Sequence, residues 1–243
     1  MRNALQGKIA MVTGASSGIG QAIALALAKS GADVLLVGRN AQRLAIVKSQ
    51  VEKCGQRALS VRANFADQAS IKQLVKTMLA KHRAIDILIH SAGTIELGYM
   101  ESALARHFDQ QYAVNVKAPY LLTQLLLPFL IKSKGHVVFI NSTAGLQASA
   151  QVSQYAASKH ALKAIADSLR AEVNEQGVRV TSIFTGTTAT PMQKRLHQQK
   201  NKPYNPETLM QPSDIAHMVV SVLTLPTTSE VTDIIMRPMQ KPL

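Results

Sequence analysis

The chain has 243 residues, with 27 Lys and Arg against 14 Asp and Glu, a net charge of +13 and a single cysteine, Cys54. That length accommodates one large domain with a buried core, spanning 1–243, and α/β chains of this size commonly stay undivided. One cysteine excludes an internal disulfide framework and fits a reducing, cytoplasmic setting. The basic residues are scattered, without a run of five or six, so a nucleic-acid partner is not expected. The seven His show no metal-ligand spacing, and no metal is expected. No signal peptide is expected from the first residues, which lead straight into an apolar run and a Gly loop. The longest apolar stretch, 121–131, is interrupted by Thr123, Gln124 and Pro128 and reads as too short to span a bilayer.

Short apolar runs alternate with segments of helical period. Strands are predicted at 8–13, 33–37, 57–63, 85–90, 136–141, 178–184 and 231–236. Helices are predicted at 19–30, 41–54, 68–82, 101–132, 153–175, 191–199 and 213–224. Runs such as Val34-Leu35-Leu36-Val37 are apolar on both faces, the pattern of strands buried in a parallel sheet. Strand–helix alternation throughout predicts a doubly wound α/β fold with helices on both faces.

After the first strand comes Thr13-Gly14-Ala15-Ser16-Ser17-Gly18-Ile19-Gly20, then an Ala/Leu helix. A Gly-rich strand-to-helix turn lets backbone N–H groups approach a pyrophosphate, with the helix N-terminus adding positive potential. Gly14, Ser16, Ser17, Gly18, Ile19 and Gly20 are therefore candidate contacts of a dinucleotide. The second strand ends Gly38-Arg39-Asn40, without the carboxylate that would hold the 2′-hydroxyl of NAD. A cation at Arg39 favours the 2′-phosphate, so NADP(H) is expected over NAD(H), with Arg43 one turn on. Asn64 and Phe65 follow the third strand, where a side chain would meet the adenine. His90-Ser91-Ala92-Gly93 closes the fourth strand. Ser91, Ala92 and Gly93 are small enough for the backbone to lie against the cofactor, and His90 reads as a hydrogen-bonded structural residue.

Asn115 lies inside a long helical segment, where Asn competes for backbone hydrogen bonds; it is either incidental or the mark of a local kink holding a water. Ser142 closes the fifth strand at its carboxyl end, where doubly wound folds bind ligands. Thirteen residues on, Tyr155 and Lys159 stand four apart, on one face of a helix. Alone, the pair fits either simple packing or a Tyr acid/base whose pKa of ~10 a nearby ammonium lowers. After the sixth strand, Gly186, Thr188 and Thr190 suit a nicotinamide carboxamide. The polar, basic stretch that follows, about 187–211, reads as a lid that sets specificity.

Together these residues resemble the compact form of the short-chain dehydrogenase/reductase family, with its Gly14-x-x-x-Gly18-x-Gly20 turn, over about residues 5–236. The resemblance implies a Rossmann-type sheet of seven strands, an NAD(P) cofactor and a catalytic group mapping to Asn115, Ser142, Tyr155 and Lys159. It implies that Ser142 and Tyr155 bind a carbonyl oxygen, that Lys159 holds ribose hydroxyls, and that Asn115 holds a water. It also implies a homodimer or homotetramer, through 101–132 and 153–175. The chain departs from the family pattern at His90-Ser91, at Asn64 where Asp is usual, and at Thr185-Gly186 where Pro-Gly is usual. The expected activity is NADPH-dependent interconversion of a ketone or aldehyde and an alcohol. The alternatives are a 3-oxoacyl-[acyl-carrier-protein] reductase, favoured by a basic lid, and a non-catalytic NADP-binding sensor or nucleic-acid-associated protein.

Overall fold

A computed structural model describes residues 3–81 and 84–240. Seven parallel strands form one sheet in the order β3-β2-β1-β4-β5-β6-β7. They are β1 (Ile9–Thr13), β2 (Asp33–Gly38), β3 (Ala58–Arg62), β4 (Ile87–His90), β5 (His136–Ser142), β6 (Arg179–Thr185) and β7 (Asp233–Met236). The chain works outward from β1 to β3, then restarts at β4 on the other side of β1. The carboxyl ends of β1 and β4 therefore diverge into a crevice, the place where such sheets bind ligands.

Alternate side chains of the strands feed two cores. Val12, Val34 and Leu36 pack with Ile23 and Leu27 of α1 (Gly18–Lys29), Leu44 and Val47 of α2 (Ala41–Glu52) and Val219 of the last helix. Met11, Leu35 and Val37 pack on the opposite face with Leu74 and Met78 of α3 (Gln68–Lys81) and with two later helices. Strands buried on both faces need continuous apolar sequence, which is why these runs do not alternate with polar residues.

The segment predicted as one helix over 101–132 is built differently. It begins later and has three parts: α4 (Ala105–Tyr112), a π-turn (Ala113–Lys117) and α5 (Ala118–Ser133). Residues 101–104 instead form turn and extended chain. By length and composition alone, Ala105–Ser133 is long and apolar enough to cross a membrane, although the 121–131 stretch within it is too short by itself. Burial decides the matter, because Leu122, Leu126 and Leu130 are fully enclosed in the second core. Helices α6 (Ser153–Val173), α7 (Pro191–Gln199) and α8 (Pro212–Leu223) complete the layers. Strand bounds differ from the predicted ones by at most two residues, β2, β5 and β6 running one residue further, and the predicted end of α3 at 82 lies outside the described residues.

Candidate functional site

The turn after β1 is shaped by close approach. Gly14 has φ +70°, and a Cβ there would stand 2.9 Å from the backbone of Ser91 and Ala92. That proximity brings the β1 and β4 ends together, and Thr13 fastens them. Its Oγ1 donates to the Ile89 carbonyl (3.2 Å) and accepts from the N–H groups of Ser91 and Ala92 (3.0 Å each). Thr13 is a site residue that the sequence reading missed; a Thr ending a central strand beside a Gly turn was the available signal.

Ser17 occupies the N-cap of α1 but makes no side-chain cap, and the first turn holds no acidic residue. The first N–H groups of α1 thus keep their donor capacity toward an anion. A cleft of ≈ 290 Å³ opens over this turn, lined by Gly14, Ser16–Gly20, Arg39, Asn40, Arg43, Phe65, Ser91–Gly93 and Thr190, all expected from sequence, and also by Gly38, Val114, Pro191 and Met192. Arg39 and Arg43 are exposed, and neither guanidinium has a hydrogen-bond or ion-pair partner among the described residues. Asn40 Oδ1 caps α2 by accepting from Arg43 N (2.9 Å). The turn, the uncapped helix and the two free cations fit a dinucleotide bearing an additional phosphate.

Asn64 does not join this cleft. Its Oδ1 accepts from Ala66 N (3.2 Å) in a local Asx turn, so the side chain serves its own loop. At the far end three predicted residues also make bonds within the fold. The Gly186 N–H donates to the Met236 carbonyl (2.8 Å), and the Gly186 carbonyl accepts from Thr188 Oγ1 (3.0 Å). The Thr190 hydroxyl caps α7 through Gln193 N. Gly186, Thr188 and Thr190 line the crevice; the Thr190 hydroxyl keeps its donor and the Thr188 hydroxyl its acceptor capacity.

The second cavity, ≈ 260 Å³, lies between the ends of β5 and β6 and is lined by Ser142, Tyr155 and Lys159 together with Ile19, Ser91, Gly93 and Met192, which reach toward the first cleft. Ser142 ends β5, its Oγ accepts from Ala144 N (3.2 Å), and it lines the crevice together with Tyr155. Asn141 anchors both neighbours, accepting from Ser142 N (2.8 Å) and donating to the Lys159 carbonyl (3.1 Å). Lys159 is 4 % exposed, donates from Nζ to the Ile140 carbonyl (3.1 Å) and sits 5.8 Å from the centroid of the Tyr155 ring. Burial lowers the Lys159 pKa to about 8. The Tyr155 phenol is pushed up from its ordinary value by burial, against the opposing effect of the Ser142 hydroxyl. The expected lowering by Lys159 is therefore not the dominant effect in the protein alone, because enclosure disfavours the phenolate more than its neighbours favour it.

Asn115 lies in the π-turn, so the kink anticipated at a mid-helix Asn is present. Its amide is fully engaged, accepting from Thr94 N (2.8 Å) and donating to Thr94 O (2.9 Å) and Ser158 Oγ (3.0 Å). Ser158 in turn donates to the Tyr155 carbonyl (2.7 Å). Asn115 thus ties the loop after β4 to the helix that carries Tyr155. Ser158, Asn141 and Thr94 were not singled out from sequence, since each gains its role only when distant segments meet. His90, by contrast, is buried against Thr123 and Phe139, away from both cavities.

The family model of short chain dehydrogenases matches residues 8–201 of this chain. The chain belongs to the short-chain dehydrogenase family. An uncharacterized oxidoreductase of Staphylococcus epidermidis is 35% identical over 232 residues, covering 95% of this chain and 97% of that one. L-sorbose reductase from Gluconobacter frateurii, crystallised with NADPH and L-sorbose, superposes with a TM-score of 0.90 at 26% identity over the full length of both chains. A metagenomic short-chain oxidoreductase in complex with NADP superposes at 0.84 with 31% identity, covering 98% of this chain and 100% of that one. This short-chain dehydrogenase is accordingly an oxidoreductase with a Rossmann-like fold.

Proposed function

We propose that this short-chain dehydrogenase interconverts a small ketone or aldehyde and its alcohol, with NADP(H) as the hydride carrier and Tyr155 as general acid and base. The observation that carries the reading is the meeting of Ser142, Tyr155 and Lys159 in one crevice that shares Ile19, Ser91, Gly93 and Met192 with the Gly-rich cleft. When bound, the dinucleotide supplies hydride to the carbonyl carbon in reduction and takes it back in oxidation. Ser142 and Tyr155 present two hydroxyls to one point, where a carbonyl oxygen accepts from both. As the C=O π electrons move onto that oxygen, Tyr155 passes its proton to it, completing the alcohol. Burial keeps the phenol protonated beforehand, and the buried Lys159 ammonium faces the phenolate left behind. Asn115 holds the Thr94 loop and, through Ser158, the turn of α6 bearing Tyr155.

Preference for NADP(H) over NAD(H) rests on Arg39 and Arg43 at the cleft and on the absence of a carboxylate among its lining residues. It agrees with the NADP and NADPH complexes of the structural neighbours. Residues 1–243 act as one dinucleotide-binding and catalytic domain, with 187–211 as its lid, in a cytoplasmic homodimer or homotetramer. L-sorbose, the ligand of one neighbour, is itself a ketone. Replacing Tyr155 with Phe tests the reading: NADPH binding, followed by its fluorescence, persists, and carbonyl reduction falls by about 10²–10⁴-fold. Turnover within a few-fold of wild type would remove Tyr155 from the reaction.

A further inference from the structure

We propose that the crevice selects uncharged carbonyl compounds, and that Glu96 enforces this selection by neutralising Arg195 at its wall. This deepens the carbonyl–alcohol reading and rests on it. The lid segment carries Lys194, Arg195, Lys200 and Lys202, yet all four are exposed and none lines the cavity. The residues that α7 turns inward are Met192, Gln193 and Leu196. With Ile95 and Val152 they make a wall of apolar and neutral polar groups. The single charged lining residue, Lys159, donates to the Ile140 carbonyl beside Tyr155. Apart from Lys159, which stands beside Tyr155 at the reacting end, the lining offers a carboxylate no cation to replace its water, which is costly.

Arg195 is the cation placed to change this. Its Nη2 donates to the carbonyl of Ile95 (2.6 Å), whose side chain lines the cavity, and its Nη1 pairs with Glu96 Oε1 (2.9 Å). Glu96 is itself fixed, because its N–H donates to Oε1 of the fully buried Gln111 (3.2 Å). Gln111 donates onward to Gln154 (3.2 Å), next to Tyr155 in α6. The network holds the guanidinium behind the wall with its charge matched.

The experiment compares ethyl acetoacetate with acetoacetate as substrates at pH 7, using NADPH. The wild type reduces the ester with a kcat/KM at least about tenfold above that of the acid, the penalty expected for burying an unpaired carboxylate. Glu96→Gln, which leaves Arg195 unmatched, narrows that ratio about fivefold or more by gaining a charge-assisted contact to the acid. Arg195→Gln retains the ester preference. Ethyl 3-hydroxybutyrate raises the melting temperature of the wild-type NADP⁺ complex, and 3-hydroxybutyrate does not. A wild type that reduces the acid as well as the ester, equal thermal shifts from the two alcohols, or a ratio unmoved by Glu96→Gln overturns the inference while leaving carbonyl reduction standing. No turnover of either compound by protein that binds NADPH overturns the carbonyl reading, and this inference with it.

Discussion

Acidification should unfold this protein through two buried imidazoles. His90 and His136 are 4 % and 3 % exposed, and burial lowers the pKa of each to about 3. Arg179 adds to the effect at His136. The local geometry explains why a second proton is unwelcome at His136. Thr181 Oγ1 donates to the Val231 carbonyl (2.6 Å), so it accepts from His136 Nε2 (2.8 Å), leaving Nδ1 as an unprotonated nitrogen with no partner. Protonation would create a buried N–H with nothing to receive it. Both folded-state values lie below the unfolded value of ~6.5, so the stability they confer is complete above that pH and drains away as pH falls toward 3. At pH 5 each site costs about 2 kcal/mol and the pair about 4 kcal/mol, from 1.36 kcal/mol per proton per pH unit. That is a large share of a stability of roughly 5–15 kcal/mol. Urea unfolding at pH 8, 7, 6 and 5 measures the loss, and His90→Asn and His136→Asn should each remove about half of the dependence between pH 6.5 and 5. A wild-type stability flat between pH 8 and 5, or histidine variants that keep the full pH dependence, would refute the reasoning.

Substituting Arg39 with Ala should weaken NADPH binding by about 2 kcal/mol, roughly thirty-fold, while NADH binding barely changes, as read by cofactor fluorescence titration. Gly20→Ala should destabilise the fold by about 1–3 kcal/mol, because the new Cβ would stand 2.5 Å from the Gly14 carbonyl oxygen; urea midpoints check this. The exposed Phe108, Tyr112 and Tyr120 along α4 and α5 should be covered in a dimer or tetramer. Light scattering after size exclusion should then find an oligomer, and Tyr120→Glu should shift it toward monomer.

The fold was legible because its strands are continuous apolar runs and its punctuation is Gly, Asn and Pro, local signals that need no partner. The Gly14–Gly20 turn and the Tyr155/Lys159 pair were legible for the same reason, each being a short pattern on one element. Asn115 stood out as a residue ill suited to a helix interior. What escaped were the connections between elements. Nothing local to Thr13 says that its hydroxyl will gather the end of β4, and nothing in Asn64 says that its amide will fold back on Ala66 rather than face a ligand. The orientation of the basic stretch 187–211 was hidden for a related reason. Charge counts along a segment do not say which way its helix is rotated, and α7 turns Met192, Gln193 and Leu196 inward while its cations face out. The tuning of Tyr155 also lay beyond the sequence, because burial is a property of the assembled crevice.

The π-turn at Ala113–Lys117 has a further meaning for the chain as a string of residues. A π-turn is in effect one residue more than the regular helix needs, and one residue is about 100° of rotation at 3.6 residues per turn. Deleting any one residue of 113–117 would restore an unbroken helix, yet it would swing α4 a quarter turn or more relative to α5. Gln111 would leave Glu96 and Gln154, and Phe108 and Tyr112 would sweep to another side of the molecule. The stretch is thus a phase-setting insertion whose length matters as much as the Asn115 side chain it carries. A shortened variant should stay helical by circular dichroism while losing the contacts that hold the loop after β4.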